Sequence, residues 1–380
     1  MSETSAAVMP WPGLPDAERR VLLELLLRGG QSRIRIAERL NLSRTSLTRT
    51  TRGLIDAGLI VEGEVYSSGT RGRPAEVLHL RPDAAHFLGV KLTGDAMYTA
   101  VTDLRARVVA EQVGPLPSRD VKEAVALIAG SVPVLDSGPI AGIGIAVAGD
   151  VAETPDGTIL RGSDFLGWDA VALATLVTEA TLRPATVVND VHALAGAHHW
   201  FGMSPQQDSL VVYGVGAGIG SGVVLDGELY LGSNGRAGRV GHTRVGGRGR
   251  VCSNGHVDCV HSFVTMPAIE QNSGLAPGEY REALERARAG QGVAIRAFED
   301  AARGLGAAIA EAVNAFDPNV VVVMGEGVDM LEIASDHVRI ALGEFLERGD
   351  PDAVVIERPE FHFGLYARGA AVAAMRRQLA

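Results

Sequence analysis

The chain has 380 residues, 46% hydrophobic and 21% charged, with 47 glycines, two cysteines and a net charge of −10. That length suits two or three domains, the apolar share excludes a largely disordered chain, and two cysteines exclude a disulfide framework and suit a reducing cytosol. The acidic total argues against a general nucleic-acid coat, apolar runs such as VVVVM are too short to span a membrane, and MSETSAAVMPWPGLPDAERR lacks the pattern of a signal peptide, so a cytoplasmic protein with no membrane association is expected.

Charge is unevenly placed. Residues 16–81 carry 12 Arg against 8 Asp plus Glu, a basic head on an acidic body, which is the pattern of a DNA-binding module. After a leader at residues 1–15, expected to be flexible, DAERRVLLELLLRGG has a helical apolar stripe at Val21, Leu22, Leu25 and Leu26 and a C-cap at Gly29-Gly30. Ser32 is placed to cap a second helix, RIRIAERL, with Ile34, Ile36, Ala37 and Leu40 facing inward. Ser43 follows a turn and is placed to cap a third, RTSLTRTTRGLIDAGL, with Leu47, Leu54 and Ile55 on its buried face. The opposite face carries Arg44, Thr45, Ser46, Thr48, Arg49 and Arg52, and with Ser43 these side chains suit phosphates and the edges of guanine and adenine. Strands LIVEGEVY and AEVLHL flank a Gly-rich tip whose Arg71 and Arg73 suit a narrow minor groove. Residues 16–82 therefore read as a winged helix-turn-helix domain for double-stranded operator DNA.

The body, residues 83–380, alternates strands and helices. HFLGVKL and MYTAVTDL read as paired strands followed by RVVAEQVG, the helix DVKEAVALIAGSV and the buried strand GIGIAVAG. A helix WDAVALATLVTEAT, the strand ATVVND and the helix VHALAGAHHWFG come next, then SLVVYGVGAGIGSGVVLDGELYLG, a cysteine loop, several helices and the strand VVVVMGEG. This order fits two α/β lobes around a cleft, with LYARGAAVAAMRRQL packing back on the first lobe.

From about residue 16 to its end, the chain resembles a transcriptional regulator of the ROK family (repressor, open reading frame, kinase). The resemblance rests on GRP near the wing, GIGIAVAG, VVND, GAGIGSGVVLDG, AGRVGH and the cysteine loop, in that order behind the winged head. It implies an actin-like ATPase (sugar kinase-like) fold, a sugar-type effector in the cleft, and a homodimer or tetramer acting as a repressor of sugar-utilisation genes. Kinases of this family open the body with Asp-x-Gly-Gly-Thr, whereas here the stretch is Lys91-Leu92-Thr93-Gly94-Asp95. A Lys91 ammonium attracts phosphate but cannot coordinate Mg²⁺, so no catalytic residues and no ATP or Mg²⁺ requirement are expected. By the same resemblance Gly149, Asn189 and Asp190 line the effector cleft, with Asp190 matching the family's catalytic base. Asn189 and Asp190 also suit a helix cap. Arg239 and His261 stand where sugar-binding members carry glutamates, beside His242; Arg239 would suit an acidic or phosphorylated sugar. A sugar kinase with a fused DNA-binding head, and a regulator controlled by a protein partner, are the alternatives.

The loop RVCSNGHVDCVH holds both cysteines. The family's version, Cys-x-Cys-Gly-x-x-Gly-Cys-x-Glu, binds zinc with a histidine. Here Cys252, Cys259 and His242 match that set, while Asn254 replaces the middle cysteine. Zinc then needs a fourth ligand, His256 or Asp258, and a metal-free loop is the alternative.

Overall fold

The computed structural model describes residues 13–66, 75–134, 140–154, 157–203, 205 and 207–379. Most of the leader and the wing tip, with Arg71 and Arg73, lie outside the described residues. The chain forms two compact units, Met1–Ala193 with Tyr366–Ala380, and Leu194–Leu365.

The first unit opens with α1 (Asp16–Arg28), β1 (Gln31–Ser32), α2 (Arg33–Leu40) and α3 (Arg44–Asp56). Val21, Leu22, Leu25 and Leu26 are the buried stripe of α1, and Gly29 ends that helix at φ 76° with its N–H on the Leu25 carbonyl. Ser32 Oγ accepts from Arg35 N (3.4 Å) and Ser43 Oγ from Ser46 N (3.1 Å), so both caps form as the sequence proposes. Two expectations fail. Ile34 is 53% exposed: at about 100° per residue it lies about 160° round α2 from buried Ile36. The third helix stops at Asp56, before a turn at Ala57 and Gly58 (φ 71°), and Thr50 and Thr51 join Leu47 and Leu54 on its buried face. β2 (Ile60–Tyr66) and β3 (Ala75–Leu80) complete an antiparallel sheet ordered β1-β3-β2.

β4 (His86–Leu92), β5 (Ala96–Thr102), β6 (Val108–Pro115), α4 (Val121–Val134), β7 (Ile140–Val147), β8 (Asp150–Thr154), β9 (Gly157–Ser163), β10 (Trp168–Val171), α5 (Leu173–Thr181), β11 (Ala185–Asn189) and α6 (Asp190–Phe201) follow. The main sheet is ordered β11-β7-β4-β5-β6, with β11, β7 and β4 parallel. The helix expected from Trp168 starts later: residues Trp168–Val171 pair with β9, and Ala170 at φ 52° is not helical. The C-terminal helix, Gly364–Leu379, returns to this sheet. Its backbone comes so close that a Cβ on Gly89 would lie 1.8 Å from Ala367 O and one on Gly144 1.7 Å from Ala370 O. No side chain fits there.

The second unit contains β12 (Leu210–Val215), β13 (Ile219–Leu225), β14 (Glu228–Tyr230), α7 (His261–Val264), α8 (Met266–Asn272), α9 (Tyr280–Arg288), α10 (Gly292–Phe316), β15 (Val320–Met324), α11 (Met330–Ile333), α12 (Ser335–Phe345) and β16 (Ile356–Glu357). Its sheet runs β14-β13-β12-β15-β16. The small residues of α10 let it lie against the buried faces of β12 and β15, and the Tyr213 hydroxyl donates to Ala308 O (2.7 Å). Burial of that phenol pushes its pKa up.

Candidate functional site

In the basic head, Ser43, Arg44, Thr45, Thr48, Arg49 and Arg52 are exposed and Ser46 is half-buried. Leu47, Thr50, Thr51 and Leu54 hold the opposite face of α3 in the core, which fixes the direction of the polar face. Ser43 spends its hydroxyl on the helix cap, and Thr48 donates back to Arg44 O (2.9 Å). The guanidinium groups supply most of the donors of this face.

In the first unit, β7 leads to Gly149 and β11 to Asn189 and Asp190, three effector candidates that come together. Asn189 Nδ2 donates to Gly149 O (3.1 Å), while its Oδ1 accepts from the N–H groups of Val191 (3.0 Å) and His192 (3.2 Å). Gly149 has to be glycine, since a Cβ would meet Gly162 O at 2.4 Å. Asn189 is thus largely engaged in shaping the turn. Asp190 Oδ1 accepts from Val191 N (2.9 Å), and Oδ2 receives Lys91 Nζ at 2.5 Å. The expectation that Lys91 attracts phosphate fails, because the residue is 3% exposed and its ammonium is spent on Asp190. The Tyr366 ring, 4.8 Å from Nζ, takes another side of the cation. The Thr93–Asp95 turn closes on itself: Thr93 Oγ1 donates to Asp95 Oδ1 (2.9 Å) and accepts from Ala96 N (2.9 Å).

The second unit carries Arg239, His242 and His261. Arg239 is exposed. The rings of His242 and His261 stack at 5.7 Å, supported by His261 N donating to Gly241 O (2.7 Å). Burial, then neighbouring His256 and Arg239, hold the His242 pKa below its ordinary value; burial and His242 do the same to His261.

The Gly-rich turn between β12 and β13 lies against a residue that sequence reasoning overlooked. A Cβ on Gly216 would lie 2.1 Å from Glu326 Oε1, so a carboxylate covers the turn. The Gly216 N–H already donates to Gly218 O (2.9 Å). A phosphate cradle needs outward-pointing N–H groups and no adjacent anion. The motif VVVVMGEG did contain Glu326, but only the register of β15 beside β12 brings it to the turn.

The cysteine loop is a miniature hairpin. Val251 pairs with Val257, Cys252 N donates to His256 O (3.0 Å), and Gly255 at φ 81° makes the tip. His242 Nδ1 stands 3.9 Å from Cys252 Sγ and 3.8 Å from Cys259 Sγ, and His256 Nδ1 is 3.6 Å from Cys252 Sγ. Donors of tetrahedral zinc, at Zn–S near 2.3 Å and Zn–N near 2.0 Å, are separated by about 3.6 Å. The spacings among His242, Cys252 and His256 suit that ion, and Cys259 lies near His242. Ligand atoms of His242, Cys252 and His256 all lie within 4.8 Å of one another. Asn254, in place of the middle cysteine, contacts His242 Nε2 (3.2 Å) and buttresses the ring.

Asp258, the other candidate for a fourth ligand, is committed elsewhere. Its Oδ1 accepts from Arg248 N (3.1 Å) and Arg250 N (2.9 Å), and the residue is 3% exposed. Burial opposes the charge, but these backbone donors, with Gly249 and the Arg244 guanidinium, outweigh it and hold the carboxyl below the usual carboxylate range. For Cys252, burial is likewise outweighed by hydrogen bonds from Asn254 N and His256, which lower its pKa, while burial raises that of Cys259.

Among known proteins, the ROK family profile matches residues 87–377. The chain is 30% identical to the DNA-binding transcriptional dual regulator NagC of Escherichia coli K12, over 78% of this chain and 77% of that protein. It is 28% identical to the xylose repressor of Caldicellulosiruptor bescii, over 82% and 84%. In solved structures, a ROK family transcriptional regulator described as a homologue of E. coli Mlc superposes with a TM-score of 0.81 at 24% identity, covering 96% of each chain. A ROK family glucokinase from Streptomyces griseus, solved with glucose and AMPPNP, gives 0.64 at 24% identity, over 77% of this chain and 99% of that one. The body thus has the two-lobed sugar-kinase-like fold that its sequence resembles.

Proposed function

The chain belongs to the ROK family, and on that footing we propose that it is a DNA-binding transcriptional regulator, a repressor of sugar-utilisation genes whose grip on a double-stranded operator responds to a sugar-type effector. The observation that carries this reading is the exposed face of α3, with Arg44, Arg49 and Arg52, on a capped helix-turn-helix ahead of a ROK body. Residues 16–82 serve as the DNA-binding domain, with Arg71 and Arg73 in the wing, and residues 83–380 as the effector and oligomerisation domain. A homodimer or tetramer presents two α3 helices to successive major grooves, and effector binding reweights their spacing.

Gly149, Asn189 and Asp190 are the effector contacts proposed for the first unit, and Arg239, His242 and His261 those proposed for the second. Asn189 and Gly149 shape the turn, and Asp190 accepts from a hydroxyl. The protein acts without phosphoryl transfer. Lys91 stands in place of the acid that binds Mg²⁺ in family kinases, and Glu326 lies over the turn that would face phosphate. Zinc, where bound, is held by His242, Cys252, His256 and Cys259 and cross-links the hairpin to the Gly-rich run before it. It supplies structure, not chemistry.

The decisive experiment is capture of genomic DNA by the purified protein, followed by titration of an enriched site in the presence of xylose, glucose and N-acetylglucosamine. Enrichment of sites beside sugar genes, released by one of these sugars, supports the reading; no enriched site overturns it. Elemental analysis should give about one zinc per chain, lost in His256→Ala; less than about a tenth of an equivalent in the wild type ends the metal reading.

A further inference from the structure

Lys91 and Asp190 form an ion pair buried at the carboxyl ends of β4 and β11, the end of a parallel sheet at which α/β folds hold ligands. The geometry around it is asymmetric. The Lys91 side chain is 4% exposed and that of Asp190 13% exposed, so what opening there is belongs to the acid. Between them lies β7, where Ala146 is the residue in register with Lys91 and Val147 the one in register with Asn189. Ala146 is small enough for the lysine to reach past it.

Burying two charges is costly unless hydrogen bonds complete the pair. Here Asp190 Oδ1 is held by Val191 N and Oδ2 by Lys91, while Tyr366 packs on the ammonium. A carboxylate has about four lone-pair directions. Two are taken, and the Asp190 side chain keeps 13% of its surface exposed. The carboxylate therefore has a fixed orientation and spare acceptor capacity, whereas the ammonium is closed off.

We propose that Lys91 is a positioning and specificity-determining residue for the effector: it clamps Asp190 so that its free edge accepts hydroxyl groups of an uncharged polyol. At this point of the site a hydroxyl is recognised and a phosphate or carboxylate is rejected, because the Lys91 ammonium is already neutralised by Asp190. This rests on the sugar-effector reading of Asp190 given above. Lys91 touches no ligand itself and acts through the acid.

The test uses full-length protein, with xylose, glucose and N-acetylglucosamine as probes, in calorimetric titration of the wild type, Lys91→Met, Asp190→Asn and the double variant. Lys91→Met should weaken the bound sugar about 10- to 100-fold, the loss expected when a charge-assisted hydrogen bond to an acceptor disappears. In the Asp190→Asn background, where no carboxylate needs clamping, the same substitution should change affinity less than about threefold. Lys91→Gln, which keeps a donor, should lose less than Lys91→Met and guards against a variant that fails to fold. Equal losses from Lys91→Met in both backgrounds would mean a merely structural lysine and overturn the proposal, as would undiminished binding by Lys91→Met. If the wild type binds none of the three sugars, the effector reading itself falls, and the clamp with it.

Discussion

Asp258 separates a structural loop from a metal ligand, and replacing it tests that distinction quantitatively. In Asp258→Ala, the N–H groups of Arg248 and Arg250 lose the oxygen at 3.1 and 2.9 Å that satisfies them. Each buried orphan costs about 1–3 kcal/mol, and water reaching the exposed chain around Arg248 brings the pair toward the lower end, about 2–3 kcal/mol together. The backbone adds to this. Asp258 sits at φ 56°, where Asp and Asn are tolerated and Ala costs about 1 kcal/mol more. Asp258→Ala should therefore lose about 3–4 kcal/mol of stability in urea unfolding. Asp258→Asn, which keeps an acceptor oxygen and suits the backbone, should lose about 1 kcal/mol. The pH dependence has a definite sign. The folded carboxyl lies below its unfolded value, so its contribution is complete above the unfolded pKa and disappears as pH falls through the folded one. The advantage of the wild type over Asp258→Asn should hold at neutral pH and shrink only below about pH 4. Zinc content at saturation should be equal in wild type and Asp258→Asn. If Asp258→Asn instead loses zinc while its unfolding midpoint stays put, Asp258 is a ligand and the account of the loop is wrong.

Two further outcomes follow from the first unit. Arg49→Ala and Arg52→Ala should each lower the slope of log affinity against log salt by about 0.9 on a captured DNA site, measured by fluorescence anisotropy, if each contacts one phosphate; a slope that stays constant removes that residue from the backbone contacts. Gly144→Ala would drive a Cβ to within 1.7 Å of Ala370 O, so the C-terminal helix must shift off the sheet at a cost of about 3 kcal/mol, seen as a lower thermal midpoint; an unchanged midpoint refutes the close approach.

The parts of this fold that were legible in sequence share a cause. Where burial has one period, as in the stripe Val21, Leu22, Leu25 and Leu26, or where a polar cap and a glycine bracket a helix, the local pattern alone sets the element. The misses arise where a residue's fate depends on a distant neighbour. Trp168–Val171 looks helical until β9 offers it a partner strand, and Thr50 and Thr51, polar residues the helical pattern left without a face, are buried. The site shows the same division. The spacing of Cys252, Cys259 and His242 pointed to the loop, whereas only the folded hairpin sets His256 Nδ1 3.6 Å from Cys252 Sγ and spends Asp258 on backbone N–H groups. The family resemblance singled out Lys91 by its residue type, but nothing in the sequence paired it with Asp190. That pairing joins two strands separated by β7 and is created by sheet order, to which a linear motif is blind.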